Sequence, residues 1–214
     1  MNRVTVVDYG SGNILSVKRA LEFCGAVVEV TSNPQVLNQS ERILLPGVGA
    51  FGSGMRALKN HGLVEALQGF SLSEKPLMGI CLGMQLLFES SEEFGYNEGL
   101  GVIPGVVVPI PLRTMTGINH KVPHMGWNEL RRGKETSTWK NTILEGTEEG
   151  SAVYFVHSFM ARPRSEQVTL SFTQYNGWDI PAIVKLSNVY GCQFHPEKSG
   201  EIGLQILEQF IQLK

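Results

Sequence analysis

The chain has 214 residues, 42% of them hydrophobic and 18% charged, and carries a net charge of −2 at neutral pH. That length fits one sizeable α/β core over 1–214, and the absence of any Lys/Arg run argues against nucleic acid or an anionic membrane as the main partner. The N-terminus enters a strand directly, and the apolar stretch 101–112 is broken by Pro104, Pro109 and Pro111, so no signal peptide or spanning helix is expected and a cytoplasmic location follows by default. Three scattered cysteines, Cys24, Cys81 and Cys192, make no disulfide framework and fit a reducing compartment.

In chain order, Val4 to Asp8 reads as a short strand. The turn Tyr9-Gly10-Ser11-Gly12-Asn13 then opens a helix with Ile14, Val17 and Leu21 on one face. Strands at Ala26–Val30 and Arg42–Leu45 complete the start of a βαβ pattern, which predicts a mostly parallel sheet with helices on both faces and ligands at the carboxyl ends of its strands. Pro46 is expected to bend the exit of the third strand. Gly47, Gly49 and Gly52 match G-x-G-x-x-G only formally, because no helix follows directly in a first βα unit. A glycine-rich segment beside a nucleophile is better read as a source of backbone N–H groups for an oxyanion, with a plain turn as the competing reading. Leu58–Phe70 reads as one helix.

Lys75 to Phe88 then reads as a buried strand, a tight turn and an amphipathic helix carrying Met84, Leu87 and Phe88. Gly79-Ile80-Cys81-Leu82-Gly83 is a G-x-C-x-G form of the nucleophile elbow, and a helix N-terminus favours the thiolate. The competing reading is a buried core cysteine in a glycine-rich turn. From 99 to 132 and 152 to 193, short β-branched and aromatic runs predict an antiparallel section appended to the parallel sheet. The polar stretch Gly133–Gly150 reads as a surface connection, and Ser199–Lys214 as a closing helix capped by Ser199, with Ile202, Ile206, Leu207, Phe210 and Leu213 inward.

A thiol nucleophile needs a base, and the base needs an orienting group. His195-Pro196-Glu197 supplies both, with His and Glu two residues apart in an extended segment and facing the same way. Glu197 could instead pair with Lys198, and His157 is locally as well explained by a satisfied half-buried histidine as by a site. No metal site is expected, because no C-x-x-C exists and Pro123 keeps His120 and His124 off a shared helical face.

These motifs match a known family: the chain resembles the class I, triad-type glutamine amidotransferases, and within them the glutaminase subunits of imidazole glycerol phosphate synthases. The resemblance rests on Asp8–Asn13, Leu45–Phe51, Gly79–Gln85, Pro123–Asn128, Tyr154–Ser158 and Gly191–Ser199. It implies a flavodoxin-like core and no cofactor. By resemblance, Cys81 attacks the amide of L-glutamine, His195 manages the protons and Glu197 orients His195. It further implies oxyanion donors at Leu82 and around Val48 and Gly49, the latter after a peptide reorients. Gly47, Gln85, Glu93 and Ser158 fall where the family holds glutamine, and Phe159 stands where a Tyr is usual.

The glutaminase machinery fills the chain, so ammonia is expected to be used on another polypeptide. The resemblance names it: a (β/α)8-barrel cyclase of histidine biosynthesis, met by Trp127, Tyr154 and Lys198 in a heterodimer. Alternatives are a paralogue feeding a sugar-modifying synthase of surface-polysaccharide biosynthesis, a stand-alone γ-glutamyl hydrolase, and a catalytically dead interaction module.

Overall fold

A computed structural model describes residues 2–213. Among them, the first half builds the parallel layer: β1 (Arg3–Val7), α1 (Ile14–Phe23), β2 (Val27–Thr31), α2 (Pro34–Gln39), β3 (Ile43–Gly47), α3 (Phe51–Asn60), α4 (Val64–Ser71), β4 (Leu77–Cys81) and α5 (Leu82–Leu86). The elements of the second half are mostly strands: β5 (Phe88–Ser91), β6 (Asn97–Glu98), β7 (Ile103–Pro109), β8 (His124–Glu129), β9 (Arg131–Arg132), β10 (Ala152–His157), β11 (Phe159–Pro163), β12 (Thr169–Tyr175), β13 (Trp178–Leu186) and β14 (Val189–Cys192), closed by α6 (Gly200–Gln212).

An eight-stranded sheet in the order β2-β1-β3-β4-β14-β13-β12-β9 forms the centre of the described residues. It is parallel from β2 to β14 and antiparallel from β14 outward, so the appended antiparallel section continues the same sheet. A β8–β10 pair and the sheet β11-β7-β5-β6 lie beside it. Strands β3 and β4 are buried at every residue, as their unbroken apolar runs require of central parallel strands, whereas β2 is an edge with exposed positions. Alternation sends Leu44, Met78 and Ile80 to the face covered by α1 and α6, and Ile43, Leu45 and Leu77 to the face covered by α3, α4 and α5.

Several sequence expectations are corrected. The helix expected over Leu58–Phe70 is two helices, broken where Gly62 takes φ +64°. Helix α5 has five residues and Phe88 opens β5, so the elbow helix is much shorter than its apolar spacing suggests. Pro46 does not end β3; β1 pairs with β3 only at Ile43 and Leu44, so the missing N–H falls beyond that ladder. The 133–150 connection is no mere surface loop, because Trp139, Ile143 and Leu144 enter the core. Ser199 stands at the N-cap of α6 without a side-chain capping bond; its hydroxyl donates to the His195 carbonyl at 2.6 Å and accepts the Tyr154 N–H at 3.0 Å. Helix α2 had no counterpart in the sequence reading, and Lys214 lies outside the described residues.

Candidate active site

The carboxyl ends of β1, β3, β4 and β14 converge on one edge of the sheet, and the residues that follow them are the ones the sequence singles out. Cys81 ends β4 and precedes α5 with φ 53° and ψ −110°, a left-handed conformation rare for a side chain-bearing residue. The flanking glycines make this corner possible. A Cβ on Gly83 would overlap the Leu45 carbonyl oxygen of β3, and one on Gly79 would come 2.6 Å from the Gly83 carbonyl and the Met84 nitrogen. The helix therefore lies directly on β3 and on its own strand, and the turn fixes the thiol at the sheet edge.

His195 follows β14 and faces this thiol. Its Nδ1 lies 2.8 Å from Glu197 Oε1, both side chains nearly fully buried, so Glu197 pairs with the histidine and not with Lys198. Burial pulls His195 down, but hydrogen bonding to Cys81 and to Glu197 outweighs it and lifts the imidazole to about 9. The loop carrying it is clamped from β10: the His195 N–H donates to the Tyr154 carbonyl at 3.1 Å, and the Ser199 hydroxyl bridges the two segments.

The Leu82 N–H sits in the first turn of α5, where helix geometry leaves it without an intrahelical acceptor. The other expected donor is differently placed. Ser11 Oγ donates to the Val48 carbonyl at 2.5 Å and accepts the Val48 N–H at 3.3 Å, so that N–H is turned to the β1 loop. Gly49 follows at φ +97°. Gly47 is buried against the Tyr9 hydroxyl, with no room for a side chain.

Beside the thiol, Gln85 Nε2 donates to the Phe159 carbonyl at 3.2 Å and to Gln193 Oε1 at 3.0 Å, while Gln193 Nε2 lies 3.9 Å from Cys81 Sγ. Phe159 thus acts through its main chain, which a missing Tyr hydroxyl leaves intact. Half-buried Ser158 accepts the Ile110 N–H on its carbonyl at 2.9 Å. Glu93 Oε2 accepts the Phe51 N–H at 2.6 Å, capping α3 where Ala50 has no side chain to do so.

The glutamine amidotransferase class-I family model matches residues 5–213. The chain belongs to that family. It is 49% identical over 213 residues, covering all of both chains, to a Legionella pneumophila (strain Lens) protein named imidazole glycerol phosphate synthase subunit HisH 1. It is 46% identical over 207 residues, 97% of this chain and 93% of the relative, to imidazole glycerol phosphate synthase subunit HisH of Bacillus thuringiensis (strain Al Hakam). Among solved structures it is similar to PurLQS from Thermotoga maritima, with a TM-score of 0.71, 21% identity and coverage of 97% of this chain and 96% of that one. The acivicin-bound glutaminase domain of Trypanosoma brucei CTPS gives a TM-score of 0.63 at 16% identity, covering 100% of this chain and 95% of that one. Both structural likenesses concern the fold.

On this amidotransferase two of the three expected docking residues, Trp127 and Tyr154, meet across β8 and β10. Trp127 is 59% exposed and its ring sits edge-on to Tyr154 with centroids 6.0 Å apart, while Lys198 is exposed in the short turn before α6. Among the described residues, no helix is long and apolar enough to cross a membrane.

Three residues beside this amidotransferase site escaped the sequence reading. Ser11 was read only as part of a turn, and Gln193, polar at the end of an apolar strand, was the available signal for a buried site contact. The third is the role of His124. Opposed in register across β8 and β10, His124 and His157 meet with Nδ1 3.0 Å from Nε2, whereas His120 packs on Tyr175 and bonds Asn176 Nδ2 at 2.6 Å. Burial holds His124 down at about 4 and His157 at about 3. Both lie below the unfolded value of about 6.5, so the stability of the neutral pair is present above that pH and lost as pH falls toward 4. At pH 5 each histidine is expected to remove about 2 kcal/mol relative to neutral pH, read from urea midpoints at the two pH values. His195, raised instead, loses its contribution as pH climbs through about 9.

Proposed function

We propose that this chain hydrolyses L-glutamine to glutamate and ammonia and hands the ammonia to a cyclase partner in histidine biosynthesis. The observation that carries the reading is the assembled Cys81, His195 and Glu197 at a strained elbow, with His195 Nδ1 held 2.8 Å from Glu197. Cys81 Sγ attacks the side-chain amide carbon as His195 takes the thiol proton. The tetrahedral intermediate collapses to a thioester as His195 returns that proton to the leaving ammonia. Water then adds to the thioester as His195 takes one of its protons, His195 passes that proton to the departing sulfur, and glutamate leaves. Glu197 keeps the ring in the required tautomer and stabilises its charged form. Gly47, Gln85, Glu93 and Ser158 are the proposed glutamine contacts. The Phe51 N–H occupies one Glu93 oxygen and leaves the other for the substrate.

Leu82 supplies one oxyanion donor. With Val48 N–H on Ser11, the second requires the Gly47–Val48 peptide to turn, and removing one such donor costs about 2.7–4 kcal/mol of transition-state stabilisation. This supports low turnover in the isolated chain and activation by the partner, a (β/α)8-barrel docked in a heterodimer over Trp127, Tyr154 and Lys198. The assembly as a whole is the lyase that makes imidazole glycerol phosphate, and its place is the cytoplasm.

Ammonia release is measured with and without the cyclase and its ligand. Wild type is expected to be slow alone and at least about 100-fold faster in the complex, and Ser11→Ala to narrow that gap by raising the partner-free rate. Full turnover by the lone wild-type chain would sink the partner dependence. Growth of a histidine auxotroph on complementation separates this acceptor from a sugar-modifying synthase.

A further inference from the structure

A continuous polar chain links β8 to the sulfur, and its donors and acceptors can be assigned at every step. Asn128 Nδ2 lies 2.9 Å from the Gln174 carbonyl and 3.2 Å from His124 Nε2, while Asn128 Oδ1 accepts the Glu129 N–H at 2.8 Å. The amide orientation is therefore fixed with its NH2 toward His124, and His124 Nε2 has to be the acceptor. The proton of His124 is then on Nδ1, which donates to His157 Nε2 at 3.0 Å. His157 in turn carries its proton on Nδ1, which donates to the Phe159 carbonyl at 2.8 Å. That carbonyl also accepts Gln85 Nε2, and Gln85 leads through Gln193 to Cys81.

The rings cannot swing out of this arrangement. His124 is sandwiched between Tyr175 and Phe155, with ring centroids at 4.1 and 4.8 Å, and is 3% exposed, while His157 is 6% exposed. An added proton has no acceptor: on His124 Nε2 it would face an amide donor, and on His157 Nε2 it would face the His124 N–H. Two buried neutral imidazoles with one tautomer each are an expensive arrangement for a core that aliphatic side chains would fill more simply.

We propose that His124 and His157 are positioning residues of the glutaminase site: they hold the Phe159 carbonyl, and through it the Gln85 and Gln193 amides, in register with Cys81. Neither histidine touches the reacting atoms. The inference rests on the glutaminase reading of Cys81, and it makes the substrate pocket depend on a cross-strand pair outside the candidate triad.

The test compares isosteres in the enzyme with its cyclase partner. Asparagine at 157 retains an amide donor near the Nδ1 position, whereas glutamine places its donor near Nε2 and loses the Phe159 carbonyl. His157→Asn is expected to stay within about threefold of wild type in KM for glutamine, and His157→Gln to raise KM roughly tenfold with kcat falling less, the scale of one lost pocket hydrogen bond. Coincidence of the two folded variants, both intact or both equally impaired, would overturn the assignment. If His157→Gln does not fold, His124→Asn, which keeps the bond to His157, and His124→Gln, which does not, decide in the same way.

A second readout is independent of turnover. Nitrogen-15 NMR of the histidine rings is expected to place the proton on Nδ1 of both His124 and His157 at neutral pH; a proton on Nε2 of either refutes the chain. Absence of ammonia release by wild type would overturn the glutaminase reading itself, a result distinct from coincidence of the isosteres.

Discussion

His195→Asn is expected to lower the glutamine turnover of the partner-bound enzyme by about 10⁴-fold, the upper end of what general acid–base catalysis contributes. The size follows from the number of proton transfers that pass through one ring. His195 takes the proton from Cys81, gives it to ammonia, and returns one to the sulfur during deacylation. Asparagine is chosen because its amide can still donate to Glu197 Oε1, whose carboxylate is buried and already has Oε2 without a hydrogen-bond partner among the described residues. Alanine would leave that charge uncompensated and confuse lost chemistry with lost stability. Ammonia release by the complex, with a thermal melt on the same sample, separates the two; turnover within tenfold of wild type would remove His195 from the mechanism.

The largest expected effect on the fold comes from one methyl group. Gly83→Ala places a Cβ on the Leu45 carbonyl oxygen and 2.8 Å from its carbonyl carbon, and both obstacles are backbone in the fully buried β3. Neither can rotate away. Relief requires α5 to lift off the sheet, which moves Cys81 with it, so a destabilisation of about 4 kcal/mol or more is expected together with loss of activity. Gly69→Ala in α4 is the control: nothing lies within 4 Å of its Cβ, and helix propensity alone is expected to stabilise by roughly 0.5–1 kcal/mol. Chemical denaturation of both variants checks the contrast, and equal midpoints would contradict the packing argument at the elbow.

Local pattern carried the parts of the fold that are decided locally. The apolar runs of β1, β3 and β4 and the G-x-C-x-G corner lie where their spacing places them, whereas His195-Pro196-Glu197, expected to be extended, enters a 3-10 turn over Pro196–Lys198 that still brings His195 and Glu197 together. Helix α5 was over-extended because Leu87 and Phe88 satisfy helical and strand periodicity alike. What ends the helix is distant: the N–H groups of Leu100, Val102 and Ile103 take the carbonyls of Leu86 and Leu87, and Gly101 takes that of Phe88. The site shows the same division. Cys81 and Gln85 are neighbours in sequence, but the bond between Ser11 and Val48 spans 37 residues and the one between His124 and His157 spans 33. Such pairs follow from strand register and loop convergence, which no window of one sequence contains.

The Phe159 carbonyl, where the Gln85 amide and the His157 ring meet, is a main-chain atom. Substitution cannot delete it, and the junction persists while position 159 keeps an apolar side chain against the core. The mutational sensitivity of the pocket is thereby displaced from the residue at its centre to the imidazoles that brace it, 33 residues apart in sequence. A saturation scan of this enzyme should accordingly find 124 and 157 tolerant of little besides asparagine and 159 the more permissive position, an inversion of the ranking that proximity to the substrate alone would assign.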